Sequence, residues 1–159
     1  MLSPQDQATF THSFLVCGLK PSDVEALLAL GQEGLYRGGE DLFHHNGADG
    51  DLFVILDGRV NILTDEGDKI TEAGPGSVVG EISFLDAGPR DASAVAIAHV
   101  TALRFPAAEL RKRMCGDKEL GFRILANLSR ILCARMREAE QHLEPLMARS
   151  HEIWDTADL

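Results

Sequence analysis

The stretch GEISFLDAGPRDASA, residues 80–94, combines a glycine, a carboxylate, a short apolar run, a Gly-Pro turn and a lone arginine. It follows a strand-like run and interrupts a β-rich region of the sequence. Gly80, followed by residues able to form one helical turn, leaves backbone N–H groups directed at a common point, which is a natural seat for an anion. The stretch therefore predicts an anion site.

Two side chains of this stretch indicate the kind of anion. The planar guanidinium of Arg90 suits a bidentate grip on a phosphate, and Gly88-Pro89 folds the chain back so that it can reach. Glu81 repels a phosphate but is a strong acceptor for a neighbouring sugar hydroxyl. On spacing alone, such a pair is more often two solvated charges; the glycine, the turn and the surrounding strands favour a ligand in which a phosphate is joined to a sugar.

The sequence around this stretch predicts one mainly β domain, residues 1–159, with flanking helices. Residues 4–30 have helical spacing, with proline in the first turn of each of two short helices. Residues 34–105 alternate short β-rich runs with Gly, Asp and Asn, which predicts about seven or eight strands in a small barrel or jelly-roll-like β-roll. Two turns, Asp57-Gly58 and Glu66-Gly67-Asp68, are predicted to join neighbouring strands as hairpins.

Helical spacing returns after Pro106 and predicts a C-terminal helical lid over residues 106–147. Pro145 is expected to end or kink this helix, because proline removes a backbone donor and clashes with the preceding turn. Residues 148–159 form a short acidic tail with the only tryptophan of the chain, Trp154.

Composition narrows the classes of function. The chain has 159 residues, a net charge of -10 and no apolar run near the roughly 20 residues of a membrane span. Its N-terminus lacks a secretory pattern, and three cysteines, Cys17, Cys115 and Cys133, include no close pair. The expectation is a cytoplasmic protein with no membrane partner. The negative charge opposes binding to nucleic acid.

Residues 80–93 resemble the phosphate-binding cassette of the cyclic-nucleotide-binding domain family. This family includes the catabolite activator protein, the regulatory subunits of cyclic-AMP-dependent kinase and cyclic-nucleotide-gated channels. Its cassette reads G-E-aliphatic-small-aliphatic-aliphatic, a short turn, then P-R-small-A-Thr/Ser, and the sequence follows it without a gap. The resemblance spans roughly residues 14–140 and includes segments 38–43, 47–51, 52–60 and 74–76.

The resemblance implies an eight-stranded β-roll with short N-terminal helices, a cassette helix and a long C-terminal helix. It implies cyclic AMP or cyclic GMP as the ligand, with no further cofactor. By this resemblance Glu81 would hold the ribose 2′-hydroxyl, Arg90 the cyclic phosphate, and backbone N–H groups the remaining phosphate oxygens. Ser93 either contacts phosphate or bonds to a backbone neighbour. The full candidate site is Gly80, Glu81, Ile82, Ser83, Arg90, Asp91, Ala92 and Ser93.

Two positions depart from the family pattern. Asp91 stands where Ala, Ser or Thr is usual, and a carboxylate turned toward the phosphate would weaken binding by about 1 kcal/mol at a wet site. It also leaves the preference between cyclic AMP and cyclic GMP open, because Thr or Ser there helps to select guanine in the family. Ala94 stands where a β-branched residue is common, so a looser pocket wall is expected.

Three other classes of protein share parts of this pattern. A cupin metalloenzyme would use His44-His45-Asn46 and Asp51, but Asn46 replaces the second histidine ligand and His99 lies too far along the chain. A DNA-binding regulator would need a helix-turn-helix, and sixteen residues follow Leu143. An iron–sulfur sensor would need clustered cysteines. No catalytic group is recognisable, so a binding module rather than an enzyme is expected.

The final helix predicts how such a module would signal. Six apolar residues recur on one stripe at near-heptad spacing, which favours a two-helix seam in a homodimer or docking onto a separate effector protein. The alternative is that the stripe packs on the β-roll of its own chain. A degenerate domain that serves as an interaction scaffold without binding nucleotide also remains open. The stripe consists of Leu125, Leu128, Leu132, Met136, Ala139 and Leu143.

Overall fold

The computed structural model describes the backbone of residues 1–155 and the side chains of residues 1–141. Within that range the chain forms eight strands in two four-stranded antiparallel sheets, with helices before, between and after them. This confirms the predicted mainly β fold with its long C-terminal helix. The helices are α1 (Pro4–Thr11), α2 (Pro21–Leu30), α3 (Glu81–Asp86), α4 (Ala107–Gly116) and α5 (Lys118–Asp155), with a 3₁₀ turn at Phe14–Val16.

The strands divide evenly between the two sheets. The strands are β1 (Gln32–Tyr36), β2 (Asp41–Phe43), β3 (Leu52–Asp57), β4 (Val60–Leu63), β5 (Lys69–Ala73), β6 (Val78–Val79), β7 (Ser93–Ala96) and β8 (Val100–Phe105). One sheet has the order β1-β8-β3-β6 and the other β2-β7-β4-β5. Apolar side chains from both sheets meet in one buried cluster that includes Phe43, Phe53, Val60, Ala94 and Ala102. This cluster is the core of the roll.

One of the two predicted hairpins is wrong. Glu66-Gly67-Asp68 joins β4 to β5, which pair as predicted. Asp57-Gly58 instead carries the chain from β3 in one sheet to β4 in the other, so the strands it joins are not paired. Gly58 has φ of +79°, and a Cβ there would clash with the carbonyl oxygen of His99. The turn therefore crosses between sheets where the backbones approach too closely for any side chain.

The C-terminal helical region contains a break that the sequence pattern did not reveal. Helix α4 ends at Gly116, and Asp117 has an extended backbone with φ of -133°. The Asp117 side chain then accepts a hydrogen bond from the Leu120 backbone N–H at 3.2 Å, which caps the start of α5. Gly121 lies close to α4, since a Cβ there would be 2.6 Å from the carbonyl oxygen of Met114.

Pro145 was expected to end or kink the helix. The end is wrong, because α5 continues to Asp155, and the kink stays a prediction. A proline within a helix removes one backbone donor, and the hydrogen bonds on either side can maintain the helix. The helix therefore also includes much of the predicted acidic tail, of which residues 156–159 lie outside the described residues.

The chain comprises two compact units. The first, Met1–Leu128, contains both sheets, helices α1 to α4 and the first part of α5; the second begins at Ser129 and continues α5. No helix in the described part of the chain combines the length and the apolar character needed to cross a membrane.

Candidate functional site

The predicted cassette begins at a glycine, and any other residue type at this position would be strained. Gly80 follows β6 and adopts φ of +85° and ψ of 11°, in the left-handed region. A Cβ at this position would lie 2.7 Å from both Arg90 Nη1 and the carbonyl oxygen of Asp51. Glycine thus permits the turn into α3 and also the close approach of the guanidinium to the backbone.

Hydrogen bonds hold the segment between α3 and Arg90 in one shape. The Ser83 hydroxyl, which is buried, donates to the carbonyl oxygen of Pro89 at 3.1 Å. Ala87 ends α3 with φ of +56°, and the backbone N–H of Gly88 donates to Asp86 Oδ1 at 2.7 Å. The chain is therefore folded back from the helix toward Arg90, as the Gly-Pro turn predicts.

The side chain of Arg90 is buried and surrounded by hydrogen-bond acceptors. It is only 1% exposed, and its guanidinium carbon lies 4.1 Å from the centre of the Phe43 ring. Nε and Nη2 donate to the two carboxylate oxygens of Asp49 at 3.2 and 2.6 Å. Two backbone carbonyls complete the set, with Nη1 donating to Gly80 at 3.0 Å and Nη2 to Asp51 at 2.6 Å.

The backbone at Arg90 is tied to the loop that precedes β3. The Arg90 N–H donates to the Gly47 carbonyl and the Asn46 N–H donates to the Arg90 carbonyl, both at 2.9 Å. Next to this pair, the His45 N–H donates to the Ser93 hydroxyl at 2.8 Å. The loop and the end of the cassette therefore form one hydrogen-bonded unit.

Asp51 connects this unit to β8, the last strand of the roll, and to α4, the helix that follows it. Its side chain is buried, and Oδ2 accepts from Arg104 Nε on β8 at 2.6 Å. Oδ1 accepts from the backbone N–H of Ala107, the first residue of α4, at 2.8 Å. Because the Asp51 carbonyl also contacts Arg90, a single residue touches both the cassette arginine and the start of the C-terminal helices.

The electrostatics of Asp49 follow from its partner. Partial desolvation raises the pKa of its carboxyl, but the hydrogen bonds and the charge of Arg90 lower it by more, so the pKa lies below its ordinary value. Asp49 is therefore ionised at neutral pH, and the carboxylate and guanidinium form an ion pair at 2.6 Å.

The sequence and the fold have counterparts in known proteins. The family model described as cyclic nucleotide-binding domain matches residues 34–115, more than half of the chain. The chain belongs to the cyclic nucleotide-binding domain family.

Two relatives show how far the likeness extends. The cyclic AMP receptor protein of Thermus thermophilus is 32% identical over 133 residues, which cover 81% of this chain and 60% of that protein. The crystal structure of the Thermus thermophilus catabolite activator protein superposes with a TM-score of 0.72 at 31% identity, covering 85% of this chain and 63% of that one. The chain thus spans less than two thirds of these relatives.

A smaller relative matches along most of its length. A cyclic nucleotide-binding domain from Methylobacillus flagellatus has a TM-score of 0.78 at 25% identity, and the match covers 91% of this chain and 86% of that one. The fold described above is therefore found in solved structures of similar extent.

In this cyclic nucleotide-binding domain the predicted site residues occupy different environments. Glu81, at the first position of α3, is 2% exposed, and Ala92 is also buried. Ile82 and Asp91 are exposed, and Ala94 is buried in the core of the roll. Ser93 was expected either to contact phosphate or to bond to a backbone neighbour. Its hydroxyl accepts from the His45 backbone N–H, which is a contact of the second kind.

Sequence reasoning missed Asp49 and Asp51. Both lie in segment 47–51, which was noted as part of the family resemblance, and Asp51 was otherwise weighed only as a metal ligand in the cupin alternative. The available signal was two carboxylates on either side of a glycine, directly before a strand whose residues Leu52–Leu56 are all buried. Acidic residues entering such a strand are candidates for pairing with a buried cation.

A groove borders the cassette helix α3. Its volume is about 440 Å³, and Phe84 and Leu85 of the cassette helix line it together with Phe122 and Leu125 of α5. Phe122 is largely exposed. Arg111 also lines it and donates to the Phe84 carbonyl at 2.6 Å. This groove is mainly apolar and separate from the contacts of Arg90.

Proposed function

We propose that this domain binds a 3′,5′-cyclic nucleotide, cyclic AMP or cyclic GMP, in the cassette of residues 80–93. The observation that carries the proposal is the guanidinium of Arg90, which is buried beside the backbone of Gly80 in a chain of this family. The name of the Thermus relative supports cyclic AMP as the first ligand to test. Glu81 would accept the ribose hydroxyl and Arg90 would bind the phosphate, each through charge-assisted hydrogen bonds.

We propose further that binding is signalled in trans by movement of the C-terminal helix, in a homodimer or onto a separate effector protein. Asp51 supports a mechanical link, because it contacts Arg90 through its carbonyl and the first residue of α4 through its carboxylate. The competing possibility is a scaffold that has kept the fold without binding nucleotide.

Calorimetric titration with each nucleotide tests the proposal. We expect Glu81→Gln to weaken binding by about 1 kcal/mol, or roughly fivefold in affinity, because the amide keeps an acceptor oxygen but loses the charge that strengthens the hydrogen bond. Arg90→Lys should weaken it further, since a lysine keeps the charge but not the bidentate fork.

The control is Glu109→Gln, which removes a carboxylate of the same type from an exposed position of α4. All variants should first be checked for cooperative unfolding. No heat with either nucleotide at millimolar concentration would leave the scaffold as the better account.

A further inference from the structure

We infer that Asp49 is a built-in competitor for the nucleotide phosphate, whose carboxylate occupies the guanidinium donors that the phosphate needs and thereby sets the affinity of the site. This inference rests on the proposed function. It concerns a residue outside the cassette, in the loop before β3.

The number of N–H donors on Arg90 limits the contacts that a ligand can make. A guanidinium has five N–H groups. Two bind the Asp49 carboxylate in the bidentate arrangement that a phosphate would otherwise adopt, and two more bind the carbonyls of Gly80 and Asp51. At most one donor is left for a ligand. A phosphate therefore gains a bidentate contact only by displacing one of these partners.

Exposure identifies the partner that gives way. The Asp49 side chain is 35% exposed, whereas Arg90 is 1% exposed. The other two partners are main-chain carbonyls, and both belong to residues fixed by the fold: Gly80 by its left-handed turn and Asp51 by its contacts with β8 and α4. Asp49 is the partner that can leave the guanidinium by rotating its side chain into water.

Charge explains why this exchange limits affinity. The carboxylate and a cyclic phosphodiester each carry one negative charge and can each accept two hydrogen bonds from the guanidinium. Binding therefore replaces one ion pair with another rather than adding one. A displaced Asp49 that stays near the site also repels the phosphate, more strongly at low salt. Asp49 contacts the guanidinium of Arg90 directly. Asp91, the other carboxylate considered as a source of repulsion, is exposed.

The test compares wild type, Asp49→Asn and Asp49→Ala by calorimetry with cyclic AMP and cyclic GMP. Asn keeps the shape and one acceptor but removes the charge, and we expect affinity to rise about tenfold or more, the scale of one charge-assisted contact. Asp49→Glu, which keeps the charge, should bind more weakly than Asp49→Asn. Asp41→Asn is the matched control, since it removes one exposed carboxylate from β2 and should leave affinity near that of wild type.

The outcomes separate this inference from the proposed function. If wild type binds and both Asp49→Asn and Asp49→Ala bind equally or more weakly, the function stands and the competitor is refuted. Binding by Asp49→Asn but not by wild type supports the competitor and removes the sensor function of the natural chain. If neither protein binds, both ideas fail.

A measurement on wild type avoids any folding defect of the variants. The Nε–Hε signal of Arg90 in an NMR spectrum reports the partner of that donor. We expect it to shift on titration with cyclic AMP as phosphate replaces carboxylate, and binding without a shift would contradict the inference.

Discussion

At the scale of single residues, Gly80 combines two constraints that can be measured separately. Gly80→Ala places a side chain at φ of +85° and within 2.7 Å of Arg90 Nη1. Gly67→Ala is the matched control, since Gly67 has φ of +89° and no other group within 4 Å of a Cβ. We expect Gly67→Ala to lose about 1–2 kcal/mol of stability, the cost of the left-handed backbone, and Gly80→Ala to lose clearly more in urea unfolding. Equal losses would mean that Arg90 and the Asp51 carbonyl, which also lies 2.7 Å from that Cβ, both move aside without resistance.

The sequence predicted the residue types of the site better than their partners. The guanidinium of Arg90 was predicted to bind a phosphate through its planar set of donors, and these donors match a carboxylate equally well. Its partner in the structure is Asp49, 41 positions earlier in the chain. That pairing depends on how the loop before β3 packs against the cassette, and no local pattern specifies such a long-range contact. The ligand roles of Glu81 and Arg90 stay predictions.

At the scale of elements, a buried amide joins the N-terminal segment to the first part of α5. Asn127 is 4% exposed, and its Nδ2 donates to the carbonyls of Leu15 and Cys17, both at 2.9 Å. Asn127→Asp keeps the shape but removes both donors, so we expect a loss of about 1–3 kcal/mol or more in the free energy of unfolding. Arg130→Ala, at an exposed position of the same helix, should change it by less than about 0.5 kcal/mol. A small effect of Asn127→Asp would show that water replaces the amide.

Element types were predictable where periodicity is strong, and boundaries were not. The strands of the roll alternate with turn residues, so the sequence pattern predicted about seven or eight strands, and eight are present. The break at Asp117 was missed because apolar spacing continues on both sides, while the cap depends on one side-chain hydrogen bond. The turn at Gly58 was misassigned because a glycine turn looks alike whether the next strand pairs or changes sheet.

At the scale of the whole molecule, the apolar stripe of the last helix contains both buried and exposed residues. Leu128, which was placed on the predicted seam, is fully buried with Ile124 and Leu120 in the first unit. Leu125 and Met136 are 45% and 63% exposed. The side chain of Leu143 lies outside the described residues. Leu128 therefore follows the alternative in which the stripe packs within its own chain, and the seam between two chains stays a prediction.

The homodimer proposed above depends on the exposed part of that stripe. Leu132→Glu places a charge between Leu125 and Met136 on the same helical face, and desolvating it in a two-helix seam is unfavourable. Ala134→Glu adds the same charge on an exposed position away from the stripe. We expect light scattering coupled to size exclusion to give a dimer mass for wild type and Ala134→Glu and a monomer mass for Leu132→Glu, with and without nucleotide. A monomer mass for all three proteins would refute the homodimer. It would leave nucleotide binding unaffected, because the contacts of Arg90 come from other residues. A separate effector protein would then be favoured as the receiver of the signal.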